Sequence, residues 1–128
     1  MGNTKFYRCS GCGNFVMFLG EKTACTPQCC GKPMDELKAN TTDAAQEKHV
    51  PVVEISGSAV KVTVGATVHP MLEEHHIEFV YLETTDGGQL HYFKAGDEPT
   101  FTFELADGVK PVAAYEYCNL HGLWVKEL

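Results

Sequence analysis

Cysteine and histidine are kept apart in this chain. Five of the six cysteines (Cys9, Cys12, Cys25, Cys29, Cys30) lie in the first 30 residues. All six histidines (His49, His69, His75, His76, His91, His121) come after residue 48, together with the last cysteine, Cys118. This segregation limits the fold more than any other feature. Residues 1–38 offer only short apolar stretches, KFYRC and NFVMFL, broken by glycines. A unit of that size buries too little apolar surface to fold alone, and below roughly 40 residues a metal or disulfides are normally needed. In a reducing compartment, clustered cysteines read as a metal site before they read as disulfides. The amino-terminal stretch is therefore expected to be held by a metal. The later histidines, with one cysteine, point to a second site of different character.

Cys9-Ser10-Gly11-Cys12-Gly13 is a C-x-x-C-G knuckle, followed by CTPQCCGKPM. The glycines let backbone N–H groups turn toward the sulfurs and stabilise thiolate charge. Two cysteines from each motif supply four thiolates, enough for a closed tetrahedral site. The adjacent pair Cys29-Cys30 needs a tight turn to aim both side chains at one ion, and Gly31 allows it. Zinc and iron both accept four sulfurs, so ligand type alone leaves the metal open. A redox dithiol would require a βαβ context or a helix start, and neither is present. Cys25 is surplus and reads as an ordinary small cysteine.

Residues 39–46, ANTTDAAQ, are small and polar and read as a linker. From Pro51 onward come seven β-prone runs: VVEIS, AVKVTV, IEFVYLE, QLHYFK, TFTFEL, VAAYEY and LWVKE. AVKVTV places Val60, Val62 and Val64 on one face, and TFTFEL does the same for Phe101, Phe103 and Leu105. Gly57-Ser58 and Asp86-Gly87-Gly88 are hairpin signals. Seven alternating strands in so short a stretch predict an immunoglobulin-like β-sandwich. The expected organisation is a metal-bound unit over 1–38 and a β-sandwich over 39–128. There is no internal repeat and no long helical periodicity.

The net charge of −7 argues against nucleic acid or an anionic membrane as partner, since both call for a basic face. No apolar run reaches membrane-spanning length. The first residues lack the apolar core of a secretory signal, and Phe6 breaks the myristoylation pattern. A cytoplasmic location is the default expectation.

Any one of the histidines would ordinarily be structural. Several at loop–strand junctions, in QEKHVP, VHPMLEEHHIEF and CNLHG, shift the balance toward a site. In an extended segment His75 and His76 point to opposite faces, so only one reaches a given metal. His91, inside QLHYFK, reads as structural. Tyr115, Tyr117 and Trp124 read as core or rim aromatics.

Taken in order, YRCSGCGN, CCGKPM, EKHVPVVE, HPMLEEHHIEF and EYCNLHGLW resemble desulfoferrodoxin, the two-iron superoxide reductase family, over nearly the whole chain. The resemblance implies a desulforedoxin-like (rubredoxin-like) domain followed by a neelaredoxin-like catalytic domain. It implies a first iron on Cys9, Cys12, Cys29 and Cys30, where zinc is an accepted substitute. It implies a second, catalytic iron on His49, His69, His75, Cys118 and His121, with four imidazoles in a plane, the thiolate on the axis and one position open. The activity implied is one-electron reduction of superoxide to hydrogen peroxide without release of oxygen. Glu47 and Lys48 match the family's reactive pair: Lys48 to attract the anion and hold a proton-delivering water, Glu47 to cap the oxidised metal. Backbone N–H groups after Cys118 are expected to point at its sulfur. A rubredoxin-type electron donor and a homodimer follow from the same resemblance. His76 departs from the family, standing where a bulky aromatic residue is usual. The competing reading is a small iron or zinc protein for electron transfer or binding, in which neither metal meets a substrate.

Overall fold

Alternation of apolar and polar residues in AVKVTV and TFTFEL, and near-continuous β-prone runs such as IEFVYLE and VAAYEY, dictate strands, and these dominate the computed structural model. It describes residues 2–128. The chain divides into two units, Asn3–Lys38 and the remainder from Ala39 with Gly2.

In the smaller unit, β1 (Phe6–Arg8) pairs antiparallel with β2 (Phe15–Met17) on one side and β5 (Asp35–Glu36) on the other. Strands β3 (Gln28–Cys29) and β4 (Lys32–Pro33) form a separate two-stranded hairpin. Its turn is Cys30-Gly31, with φ of 54° and 74°. A two-residue hairpin turn of the primed type needs both central residues at positive φ. Glycine meets that demand freely, and Cys30 is forced into it. The apolar core is small: Tyr7, Cys9 and Met34, with Phe18 and Cys29 packed against them.

The larger unit begins with a segment that the sequence marked only as a linker. Asn40 anchors it. Its Nδ2 donates to the Val125 carbonyl at 3.2 Å, and its Oδ1 accepts the Val125 N–H at 2.9 Å. A single helical turn, α1 (Gln46–His49), follows; it is too short to leave a periodic signal.

Then come the seven strands: β6 (Pro51–Ser56), β7 (Ala59–Val64), β8 (Ile77–Thr84), β9 (Gly87–Tyr92), β10 (Thr100–Glu104), β11 (Pro111–Cys118) and β12 (Gly122–Glu127). They form two sheets, β10-β7-β6 and β12-β11-β8-β9, every pairing antiparallel. This is the seven-stranded immunoglobulin-like sandwich that the alternation predicts. Val60, Val62 and Val64 have no exposure at all and pack with Val80, Leu82, Phe103 and Ala114.

The Gly57-Ser58 turn falls where expected. The second hairpin turns at Thr85-Asp86, and Gly87 already opens β9. Gly88 serves a different need: the Tyr81 ring lies so close that no β-carbon would fit. Among the described residues no helix is long and apolar enough to cross a membrane.

Candidate metal centres

The first cluster sits in the smaller unit. Cys9 directly follows β1, Cys12 lies in the knuckle, Cys29 ends β3 and Cys30 sits in the positive-φ turn. Their sulfurs all lie within 4.8 Å of one another. Cys12 Sγ and Cys29 Sγ are 3.6 Å apart. A tetrahedral ion with metal–sulfur bonds of about 2.3 Å has sulfur–sulfur edges of about 3.8 Å, so the spacing suits one. The knuckle is closed by Gly13 N–H donating to the Cys9 carbonyl and Cys9 N–H donating to the Asn14 carbonyl, both at 2.8 Å. A β-carbon on Gly11 would stand 3.2 Å from Cys30 Cβ, a tight approach that glycine avoids.

The thiols cannot all ionise unaided. The Cys12 N–H, followed by the Gly11 N–H and neighbouring thiols, draws Cys9 down to about 6. The Cys9 sulfur, then Cys12, pushes Cys29 up to about 12. Four thiolates crowded together need a cation to offset their repulsion. Cys25 is exposed and stands outside the group.

The second cluster gathers side chains from four separate places in the larger unit. His49 comes from α1, His69 from the loop after β7, and His75 from the turn before β8. Cys118 ends β11, and His121 lies in the tight connection to β12. The rings contact edge to face in a closed cycle. His49–His69 are 4.7 Å apart, His69–His75 4.8 Å, His75–His121 5.1 Å and His121–His49 4.9 Å, with interplanar angles between 75° and 90°.

Ring nitrogens converge on the middle of that cycle. His49 Nε2 is 3.1 Å from His69 Nε2 and 3.1 Å from His121 Nδ1. A square with such edges has its centre about 2.2 Å from each corner, close to the roughly 2.1 Å of an imidazole–metal bond. Cys118 Sγ is 3.9 Å from His121 Nδ1. The ligand atoms of His49, His75, Cys118 and His121 all lie within 4.8 Å of one another; His69 stands outside that foursome and joins through His49 and His75.

The tautomers make this a cation site. His49 Nδ1 donates to the Ala45 carbonyl and His69 Nδ1 to the Pro70 carbonyl, each at 2.7 Å. A carbonyl only accepts, so the proton of each neutral ring is on Nδ1 and the lone pair on Nε2. Burial holds both rings neutral, lowering His49 and taking His69 down to about 4. Two lone pairs then face each other at 3.1 Å with no proton between them. His75 Nε2 is also buried with no hydrogen-bond partner. These orphaned acceptors are what a metal would satisfy.

The Cys118 thiol is raised, chiefly by burial; the N–H groups of Leu120 and His121 point at the sulfur and act the other way. The β8–β11 ladder is irregular between Tyr117 and Cys118, and a bulge at a strand end re-aims the side chain there.

Glu47 and Lys48 lie exposed on α1, directly before His49. Gly65, at φ +78°, holds this strap in place. A β-carbon there would stand 2.7 Å from the carbonyl oxygens of both residues. Thr67 N–H also donates to the Glu47 carbonyl at 2.9 Å. Burial, then the neighbouring His121, lowers His75, and Lys48's charge adds a smaller effect of the same sign there and at His49.

His76 stays outside the cluster, its Nδ1 on the Leu72 carbonyl at 2.9 Å. His91 stacks on Phe101 at 3.7 Å, between strands. Trp124 is more than a core aromatic. It stacks on His49 at 4.9 Å and 20°, and its Nε1–H donates to the His121 carbonyl at 3.1 Å. Glu116, fully buried, has neither carboxylate oxygen hydrogen-bonded, and burial raises it well above the usual carboxylate range.

The Desulfoferrodoxin family model matches residues 41–127. The chain belongs to the desulfoferrodoxin family. It is 45% identical over 125 residues to a desulfoferrodoxin of Syntrophotalea carbinolica, covering 94% of each chain. It is 42% identical over 127 residues to that of Nitratidesulfovibrio vulgaris, covering 96% of this chain and 95% of the relative. Among solved structures it is similar to the superoxide reductase of Treponema pallidum, with a TM-score of 0.86 and 36% identity over 98% of this chain and 100% of that one. A one-iron superoxide reductase from Giardia intestinalis matches at TM-score 0.53 and 34% identity, covering 64% of this chain and 99% of its own.

Proposed function

We propose that the chain is a superoxide reductase: it reduces superoxide by one electron to hydrogen peroxide, with two protons taken up and no dioxygen formed. The observation that carries this reading is the edge-to-face cycle of four imidazoles, in which His49 Nε2 lies 3.1 Å from a ring nitrogen of both His69 and His121, with a single thiol 3.9 Å from His121. We assign His49, His69, His75, His121 and Cys118 as ligands of a catalytic iron, and Cys9, Cys12, Cys29 and Cys30 as ligands of a second iron for which zinc can substitute. Iron held by the histidine site supplies the electron that superoxide accepts.

The rest falls to the chain's own residues. Neutral imidazoles hold a ferrous ion without adding charge, and the Cys118 thiolate donates electron density to it. The substrate is an anion and the protein carries a net charge of −7. A local cation is therefore needed to draw superoxide in, and we assign that role to Lys48, which directly precedes His49 in the chain. Its ammonium also holds water, from which protons reach the reduced product. Glu47, the neighbouring carboxylate, is available to the metal once product has left. A small rubredoxin-type protein replaces the electron. The chain works as a homodimer in the cytoplasm, where its six cysteines stay reduced.

The test is metal analysis with visible absorption, followed by pulse-generated superoxide. Two metals per chain and a transient on mixing are expected. A second site filled by zinc as purified, or no transient with iron in place, overturns the reading.

A further inference from the structure

Three of the four rings at the histidine site are fixed by contacts of their own or of their backbone. His49 has Ala45 and Trp124, His69 has Pro70, and His121 gives its carbonyl to Trp124. The His75 ring has no hydrogen bond of its own among the described residues, and its backbone pairs within its own loop, His75 N–H with the Leu72 carbonyl at 3.2 Å and Leu72 N–H with the His75 carbonyl at 2.9 Å. Its place depends on the backbone on either side, and that backbone is gripped by Asn119. Asn119 Oδ1 accepts the His76 N–H at 2.9 Å, Nδ2 donates to the Glu74 carbonyl at 3.0 Å, and its own N–H donates to the His76 carbonyl at 3.2 Å. His75 lies between the two gripped residues. Cys118 immediately precedes Asn119, and His121 follows two residues later.

We propose that Asn119 is a positioning residue that sets His75 against Cys118 by fastening the 74–76 backbone to the 118–121 loop; this rests on the reading of those residues as metal ligands. The regular ladder fails at this point, because the β8–β11 register shifts between Tyr117 and Cys118. Past the shift the amide oxygen of Asn119 takes the role of a backbone carbonyl, and its amide nitrogen adds a second bond two residues away, at Glu74. The orientation of the amide is dictated by its partners, since an N–H only donates and a carbonyl only accepts. Aspartate lacks the donor and serine has one atom for two partners, so asparagine alone fills both roles on so short a stem. A residue of this kind, one step behind the ligands, tunes both affinity and metal electronics.

The experiment compares the unaltered chain with Asn119→Ala, Asn119→Ser and Val60→Ala, the last a buried core position on β7. Each is loaded with ferrous iron without oxygen. Affinity at the histidine site is read by competition with a chelator, and the sulfur-to-iron charge-transfer absorption is recorded after oxidation. Asn119→Ala should bind iron at that site about 10- to 100-fold more weakly and shift the absorption. Asn119→Ser, keeping one side-chain bond, should fall between. Val60→Ala should lower the unfolding midpoint and leave both readings in place. Unchanged affinity and absorption in Asn119→Ala would overturn the proposal, and so would an equal shift in Val60→Ala. An unaltered chain that binds iron only at the cysteine cluster would overturn the ligand assignment and this inference together.

Discussion

The two units hold their clusters in opposite ways. In Asn3–Lys38 the core and the cysteine cluster overlap. Cys9 is one of the three buried residues of its apolar cluster, and Cys29 packs against it. In the larger unit a core of Val60, Val62, Val64, Val80, Leu82, Phe103 and others lies between the sheets. There the histidines are carried by connections at strand ends. A metal in the first cluster is part of what folds the unit. A metal in the second occupies a frame that folding has already built, and is left free for chemistry.

The largest effect should come from attacking the first cluster. Structural zinc contributes about 10–16 kcal/mol in small metal-held units, far more than three buried residues can replace. Cys9→Ser, or removal of metal by a chelator, should therefore unfold Asn3–Lys38 and leave the sandwich intact. Amide hydrogen exchange would show protection lost in β1, β2 and β5 and kept in β7, β8 and β11. His75→Ala should do the reverse, abolishing superoxide reduction while every strand keeps its protection. Loss of sandwich protection in His75→Ala would show that the second metal is structural too.

A second contrast lies in what each unit can carry. The sandwich tolerates Glu116, fully buried with both oxygens unpaired. An unsatisfied buried polar group of this kind costs about 1–3 kcal/mol. Glu116→Met, similar in shape and apolar, should raise the denaturant midpoint of the larger unit by a matching amount. A lower midpoint would mean that the carboxyl is supporting its surroundings. The smaller unit, with so little core, has nothing to set against such a burden.

Lys48 tests the chemistry rather than the fold. It is exposed, so Lys48→Ala should leave stability nearly unchanged. The rate with pulse-generated superoxide should fall about tenfold and lose much of its dependence on ionic strength, since steering of an anion to a local cation is worth 10-fold or more. An unchanged rate and salt dependence would remove steering from its role.

What the sequence made legible follows from how local each signal is. Alternation in AVKVTV and TFTFEL, and β-prone runs bounded by turn residues elsewhere, expose strands, so all seven runs of the sandwich could be placed. The thiol-rich motifs are short, and four cysteines in two motifs declare themselves. Turn glycines are less transparent, because Gly88 answers to the Tyr81 ring rather than to the turn. The polar run at 39–46 hides the grip of Asn40 on β12. Glu116 was invisible because β11 is buried on both faces: Tyr115 and Tyr117 lie on one side, Ala114, Glu116 and Cys118 on the other. In such a strand polarity no longer marks the outward face. Motif matching points to ligands, but the contacts that hold them are long-range, and Asn119 and Trp124 carry no local mark.

Trp124 offers the smallest effect and the finest test of the prebuilt frame. Its ring stacks on His49, and its N–H reaches the His121 carbonyl, so it braces two neighbouring rings of the cycle. Trp124→Phe keeps an aromatic face for His49 but loses that hydrogen bond and part of a fully buried ring, which should lower stability by about 1–2 kcal/mol. Leucine at the same position would lose the stacking as well and should do more harm. Trp124 is the chain's single tryptophan, so its emission has one source. In a Cys9→Ser chain, stripped of the first cluster, emission should fall as ferrous iron fills the histidine site. If the frame is built before the metal arrives, that emission should change in intensity while keeping its wavelength, because the ring is already dry and stacked. A large blue shift on loading would instead mean that iron draws Trp124 out of water, and the sandwich would then depend on its metal much as the smaller unit does.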